Sequence, residues 1–329
     1  MITAAILCAL VLGAVAVALV PLSTSDLDSH PHPLAAYAAA ESAGIQRQRA
    51  DAITAAPGGS SILLLHGART ARVVVLLHGF TNSPKQFALL AQQLYAQGDN
   101  VYVPRLPRHA ERGGTAATFA AMTAAELRDA ADSAVDIATG LGDTVVVLGL
   151  SAGGTMASWI AQNRPEPRRV VIVAPMIAIA RVPRFLDRAV MSLAVRMPNV
   201  THKDPLDSFA PDREEGWTTR AVGQILRLGL AVQRAAKRTA PVTRDVSILL
   251  NAHDQTISAD ATLQLALQWS SHGAVVHAYR LSDSLALPHD VIDPRQHVRR
   301  PDVVYPVLVA LLNGDEPPMH GVATVGIGK

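Results

Sequence analysis

Three residues in this chain have the types and spacing needed for acyl-transfer chemistry. The first lies in Gly149-Leu150-Ser151-Ala152-Gly153. An apolar, β-branched run, residues 145–148, stops at Gly149. A helix-compatible stretch, residues 155–163, follows. Strand, sharp turn and helix together are the setting in which a serine hydroxyl is lifted above a sheet edge as a nucleophile. Gly149 and Gly153 have no Cβ, so backbone can pass close to the turn. The alternative is a Ser/Gly-rich turn in another α/β protein.

A serine is a poor nucleophile without a base and a group that orients the base. The order expected after such an elbow is serine, acid, histidine. Residues 246–250 form an apolar strand, and Asp254 leaves its end in Asn251-Ala252-His253-Asp254. Residues 275–281 form another, followed by a loop with Pro288-His289-Asp290. Asp254 is therefore the expected acid and His289 the expected base. Asp254 could instead accept a turn hydrogen bond, and His289 could be a solvated loop histidine. Asp260 competes for the acid role but falls in the next helical stretch. His297 is the second choice for the base. His277 lies within a strand and His272 precedes it. Asp290 adjoins His289, where consecutive side chains point apart, so it is a weak orienter of the imidazole.

The developing oxyanion needs two backbone N–H donors. Ala152, next after the serine, supplies one. The other is expected from the loop that follows an early strand and leads into a helix. Val75-Leu76-Leu77-His78-Gly79-Phe80 fits, and Phe80 would donate. His66-Gly67 has the same dipeptide but leads into a short hairpin, so it is set aside. His78 is expected to order its loop by hydrogen bonding.

The elements around these residues alternate. Residues 34–55 read as a helix, 62–66 and 73–77 as neighbouring strands, and 83–97 as a helix. Then come a strand at 101–103, a helix at 124–139, and strands at 145–148 and 170–174. Later come strand 246–250, helix 259–270, strand 275–281 and helix 303–312. Alternation of this kind predicts an α/β fold with a mostly parallel central sheet flanked by helices. Residues 175–241 break the pattern. They hold helical pieces at 185–196 and 220–237, with no clear buried strand, and read as an inserted helical cap. Phe185 and Leu186 are its bulky apolar residues and are expected to shape an acyl pocket. The resulting division is 1–22 apolar segment, 23–55 linker and helix, 56–174 first part of the core, 175–241 cap, 242–313 second part of the core, and 314–329 loose tail.

With 329 residues, 49% hydrophobic and 17% charged, the chain can bury a large core, and global disorder is excluded. A net charge of +2 with scattered basic residues gives no nucleic-acid footprint. Cys8 is the one cysteine, so an internal disulfide and a cysteine metal site are excluded. Residues 2–22 carry no charge and are long enough to span a hydrocarbon core. They read as a signal anchor that leaves the catalytic domain outside the cytoplasm. A cleaved signal peptide, giving a secreted or periplasmic protein, is the alternative.

The chain resembles the α/β-hydrolase superfamily, and within it the capped bacterial carboxylesterases and monoacylglycerol lipases. The matching residues are Leu77-His78-Gly79-Phe80-Thr81-Asn82-Ser83-Pro84, Gly149-Leu150-Ser151-Ala152-Gly153-Gly154, Asp254 and His289. The resemblance spans roughly residues 62–312. It implies a catalytic triad of Ser151, Asp254 and His289, and an oxyanion hole of Phe80 and Ala152. Relatives often carry Pro-Gly-His-Gly where this chain has Pro107-Arg108-His109-Ala110. Loss of those glycines puts the loop's shape in question. The compact His-Gly-Phe loop resembles that of enzymes taking esters of simple alcohols.

The expected function is hydrolysis of carboxylic esters on a small-molecule or lipid-like substrate, with no metal or organic cofactor. A serine peptidase or amidase on the same fold is the alternative. A non-catalytic binding module is a third reading, which a complete triad disfavours. A dehalogenase is disfavoured because position 151 is not Asp.

Overall fold

Continuous apolar runs become strands here because both of their faces are covered. In the computed structural model, which describes residues 12–13, 15–202 and 216–327, the central strands are β2 (Thr70–Leu77), β4 (Gly142–Leu150), β5 (Pro167–Val173) and β8 (Asp245–Asn251). Val73 through Leu77 are wholly buried. With β1 (Ile62–Leu64), β3 (Asn100–Val103), β9 (Val275–Leu281) and β10 (Val322–Thr324) they make an eight-stranded sheet, ordered β1-β3-β2-β4-β5-β8-β9-β10. The six inner strands are parallel, and β1 and β10 are antiparallel at the edges. This is the α/β-hydrolase fold, with a mostly parallel sheet flanked by helices.

The crossover helices start where the sequence supplies caps. Thr123 and Glu126 close a capping box on α3 (Ala124–Leu141), and Ser258 caps α7 (Ala259–Ser271) through Ala261 N–H. Each satisfies backbone donors that a helix start leaves open. The remaining core helices are α1 (Tyr37–Thr54), α2 (Ala88–Ala96), α4 (Ala152–Asn163) and α8 (Pro301–Asn313). Proline opens α8, and Gly314, at φ 84°, ends it, as their backbone preferences dictate.

Between β5 and β8 the chain leaves the sheet. α5 (Asp187–Arg196), a short ladder of β6 (Thr201–His202) with β7 (Trp217–Thr218), and α6 (Thr219–Ala236) form the cap. Part of the cap stretch, residues 203–215, lies outside the described residues. α6 packs its buried Ile225, Leu228 and Val232 inward. Phe185 stands 83% exposed and Leu186 39%, so neither fills a pocket. A small hollow of about 10 Å³ under the cap is lined by Ile177, Ile179, Val182, Val190, Met191 and Leu226 together with Asp187.

Three features differ from the sequence expectation. First, β1 and β2 are not partners. Both edges of β2 are taken by β3 and β4, so the three-residue β1 can pair only beyond β3. Second, residues 314–327 are not loose throughout. Val322–Thr324 returns to β9 as β10, and Ser282 N–H donates to Gly321 C=O at 2.8 Å. The return covers an otherwise open sheet edge. Third, the end of the N-terminal apolar run and the polar stretch that follows it are docked. Leu22 and Leu27 are buried. Trp159 Nε1 donates to Leu27 C=O at 2.9 Å, Arg234 to Leu22 C=O at 2.8 Å, and Arg227 Nε to Ser23 C=O at 2.9 Å. Asp132 accepts from Ser29 Oγ and His30 N–H. Asp132 is itself held, with Asp136 and Glu166, by the fully buried guanidinium of Arg164.

Among the described residues no helix is long and apolar enough to cross a membrane. Residues 1–11 and 14 of the apolar run fall outside those described. Residues 15–19 are helical.

The docked strap is an integral part of the domain. A chain beginning at Leu34 should be destabilised by about 3 kcal/mol relative to one beginning at Pro21, because the core loses the two buried leucines, Leu22 and Leu27, that pack into it. Urea unfolding of the two chains measures this; equal midpoints would show that the strap contributes nothing.

Candidate active site

Ser151 sits between β4 and α4 with φ 58° and ψ −114°, in backbone space that L-residues seldom occupy. The turn is pinned on both sides. Ser151 N–H donates to Val173 C=O at 3.0 Å, and its own C=O accepts from Thr155 N–H at 2.8 Å and Met176 N–H at 3.1 Å. A Cβ at Gly149 would run into the Gly153 carbonyl, and one at Gly153 into the Leu77 carbonyl. The two glycines are therefore required by close approach of backbone.

The loops after β8 and β9 bring the other two residues to this turn. His289 Nδ1 donates to Asp254 Oδ2 at 2.6 Å, and the Ser151 hydroxyl donates to His289 Nε2 at 2.8 Å. The second Asp254 oxygen, Oδ1, accepts from Thr256 N–H at 2.8 Å. The Asp254 side chain is almost fully buried, and that of His289 is 19% exposed. An aspartate so placed selects the Nδ1–H tautomer and leaves Nε2 free to take a proton. The competing residues stay elsewhere. Asp260 is in the first turn of α7, His272 caps its end, and His277 and His297 are exposed.

One supporting residue escaped the sequence reading. Asn251 ends β8, is 4% exposed, and donates Nδ2 to the carbonyls of Leu287 and Pro288 at 2.9 Å each. It ties the strand that leads to Asp254 to the turn that carries His289. A buried amide at the end of an apolar strand was its signal.

Ala152 opens α4, so its N–H has no helical carbonyl to bond and points from the positive end of the helix. Gly79 lies against the serine: a Cβ there would come within 3.6 Å of Ser151 Cβ. Phe80 follows, half-buried, with its ring against Phe119 (4.7 Å between centroids) and His109 (5.6 Å). His78 is buried. Its Nδ1 donates to Gly79 C=O at 2.9 Å, and its Nε2 accepts from Leu106 N–H at 3.1 Å. Accepting at Nε2 needs the neutral ring. Burial pushes its pKa down to about 4. His66, in the other His-Gly pair, stacks on Tyr95 and takes no part.

The loop that lacks its expected glycines keeps the backbone such glycines would suit. Arg108 has φ 65° and Ala110 φ 48°, each a left-handed residue costing about 1–2 kcal/mol. Between them His109 is buried, 5.1 Å from the His78 ring. Its Nδ1 donates to Pro107 C=O at 2.8 Å, and Nε2 has no partner among the described residues. Burial, then the neighbouring His78, hold its pKa well below the ordinary value.

Comparison with known proteins agrees with this architecture. A model of the Alpha/beta hydrolase family matches residues 74–280. The chain belongs to that family. Similar solved structures include a metagenome-derived lipolytic enzyme of the LipS and LipT pair (17% identity, 79% of this chain and 99% of that one, TM-score 0.58). A monoacylglycerol lipase from Paleococcus ferrophilus gives 17% identity, 77% and 98% coverage, and TM-score 0.57. A soluble variant of a monoglyceride lipase from Saccharomyces cerevisiae, in complex with a substrate analogue, gives 12%, 79%, 92% and 0.59. At these identities the likeness is one of fold. No curated protein matches the chain. Among the described residues no cluster of three or more His, Cys, Asp or Glu could hold a metal ion.

The buried histidines give the domain an acid-sensitive side. Unfolded, His78 titrates near pH 6.5; folded, near 4. Between those values the unfolded chain binds more protons, so stability is complete above about 6.5 and falls as pH drops toward 4. Urea midpoints taken from pH 7 to pH 4 should fall, and His78→Gln should flatten the slope. Identical slopes for both proteins would rule out His78 as a source.

Proposed function

We propose that this protein is a serine hydrolase of carboxylic esters that works through an acyl-enzyme intermediate. The observation that carries the reading is His289, bridging Ser151 Oγ at 2.8 Å and Asp254 at 2.6 Å. In the proposed cycle Ser151 Oγ adds to the ester carbonyl carbon while its proton passes to His289 Nε2. The carbonyl electron pair moves onto oxygen, where the N–H groups of Phe80 and Ala152 receive it. Asp254 stabilises the imidazolium. Collapse expels the alcohol oxygen, which takes the proton from His289. Water then repeats the sequence and frees Ser151. No step calls for a metal or organic cofactor.

Lipid-like acyl substrates are favoured because two of the similar structures are named as monoacylglycerol or monoglyceride lipases. A peptidase or amidase on the same triad is the competing reading; paired nitrophenyl-ester and aminoacyl-anilide assays separate them. We also propose that residues 2–22 hold the domain at a membrane, outside the cytoplasm. This rests on the uncharged run alone, and retention of the full chain on membranes through a carbonate wash tests it. A soluble exported form beginning near Ser23 would favour signal cleavage.

Ser151→Ala should lower ester turnover by several orders of magnitude, and His289→Ala nearly as much, while His297→Ala stays near wild type. The Ser151→Ala/His289→Ala double variant should lose little beyond either single one, since the residues act as a unit. A fluorophosphonate should label Ser151 in the wild type. Near-normal turnover by purified Ser151→Ala would refute the assignment.

A further inference from the structure

The turn that carries His289 also carries Asp290, and the two side chains serve different neighbours. Asp290 Oδ2 accepts from Gln86 Nε2 at 2.7 Å, Asn82 Nδ2 at 3.1 Å and Gln296 Nε2 at 3.2 Å. Its Oδ1 accepts from the N–H groups of Ile292 and Asp293, each at 3.1 Å. Asn82 and Gln86 are 2% and 1% exposed. They belong to the loop and short 3₁₀ turn that follow β2, more than 200 positions away in sequence. Asn82 Nδ2 also reaches Asp293 Oδ2 at 3.2 Å, and Arg295 braces Asp293 at 2.7 and 2.8 Å.

The polarity of these bonds matters more than their number. The side-chain amide of Gln86 has one accepting end and one donating end. Gly79 N–H can only donate, and it reaches Gln86 Oε1 at 2.8 Å. The Asp290 carboxylate can only accept. It therefore holds Nε2 toward itself and obliges Oε1 to face Gly79. Gly79 directly precedes Phe80, and its backbone lies against Ser151. Gln86 thus fixes the His78–Gly79 peptide, one peptide ahead of the one that carries the Phe80 N–H, whose Gly79 carbonyl is held in turn by His78 Nδ1, and Asp290 sets Gln86. The residue preceding Asp290 is the base.

We infer that Asp290 is a positioning residue that, through Gln86, aims the Phe80 N–H at the oxyanion and locks the oxyanion loop to the turn carrying His289. This rests on the serine ester hydrolase reading above. The competing account is that Asp290 serves only its own turn, through Ile292 and Asp293 N–H.

Asn distinguishes the two accounts. Asp290→Asn keeps one oxygen for the turn but presents an NH₂ group to Gln86. Either Gln86 then faces donor to donor, or it rotates its amide and leaves Gly79 N–H without an acceptor. Gln86→Met removes the same link from the other side. The test measures kcat, KM, Tm and inhibition by an alkylboronic acid for wild type, both single variants and the double variant. The boronic acid forms a bond from Ser151 Oγ to boron, with the serine proton passing to His289, and leaves an oxygen where the oxyanion forms. Each single variant should lose on the order of 10-fold in kcat, short of the roughly 10²–10³ lost when an oxyanion donor is removed outright. KM should stay within about twofold, and boronate affinity should fall in step with kcat/KM. The double variant should be no worse than the weaker single one, because both break one chain of bonds. Unchanged kcat in Asp290→Asn, losses that multiply in the double variant, or a drop in Tm with boronate affinity intact would overturn the inference. Wild-type turnover and fluorophosphonate labelling in the same series judge the hydrolase reading separately.

Discussion

The backbone of Ser151 is the constraint around which this domain is organised. A residue at φ 58° and ψ −114° costs about 1–3 kcal/mol and persists only where its surroundings over-determine it. They do so here from three directions. β5 supplies the acceptor for Ser151 N–H. The first turn of α4 and the chain after β5 both donate to its carbonyl. Two glycines allow β4, α4 and the end of β2 to touch without side chains between them. Relaxing the turn would disturb the contacts of β2, β4 and β5, whose C-terminal halves are buried. Packing of the core thus holds the serine hydroxyl where neighbouring loops can reach it.

A parallel sheet gives those loops a common edge. β2, β4, β8 and β9 all end on the same side, and each delivers one part: residues 78–83, Ser151, Asp254 and His289. Left-handed residues gather along this edge as well: Thr81, Ser151 and Ala174 at strand ends, and Arg108 and Ala110 in the loop after β3. A sheet whose strands are buried on both faces offers room for chemistry only at such ends. Short, sharply turned connections deliver side chains to one point with little freedom to wander. Asn251 and the knot around Asp290 then fasten loop to loop.

Much of this was legible in sequence, for a physical reason. Strand–turn–helix context and chain order are local or topological properties, so Ser151, Asp254 and His289 could be read along with the strands that carry them. What could not be read were contacts that local pattern does not encode. β1 is three residues long, and its partner depends on which edges β2 leaves free. β10 is a short apolar run in a Gly/Pro-rich tail. Asp290 adjoins His289 and reads in sequence only as a partner for the imidazole; Asn82 and Gln86, which it also holds, lie more than 200 residues away. Phe185 looked like a pocket residue because hydrophobicity tells how apolar a side chain is, not which way its helix turns.

The strap at residues 22–34 carries the same lesson into the relation between domain and N-terminus. Its residues are polar, proline-bearing and free of regular structure, which reads as a linker. What holds it is mostly main-chain carbonyls accepting from Trp159, Arg227 and Arg234, and the Asp132 carboxylate of α3 accepting from Ser29 and His30. Backbone carbonyls exist at every residue, so composition gives no warning of this. The consequence is mechanical. Ser192 and Arg196 of α5 also bond to the carbonyls of Val17, Val20 and Pro21, so the chain reaches the core by way of the cap. A free linker would let the domain turn independently of whatever holds its N-terminal segment. A strap bonded to α5, α6, α4 and α3 in succession passes any restraint on residues 15–21 to the cap first.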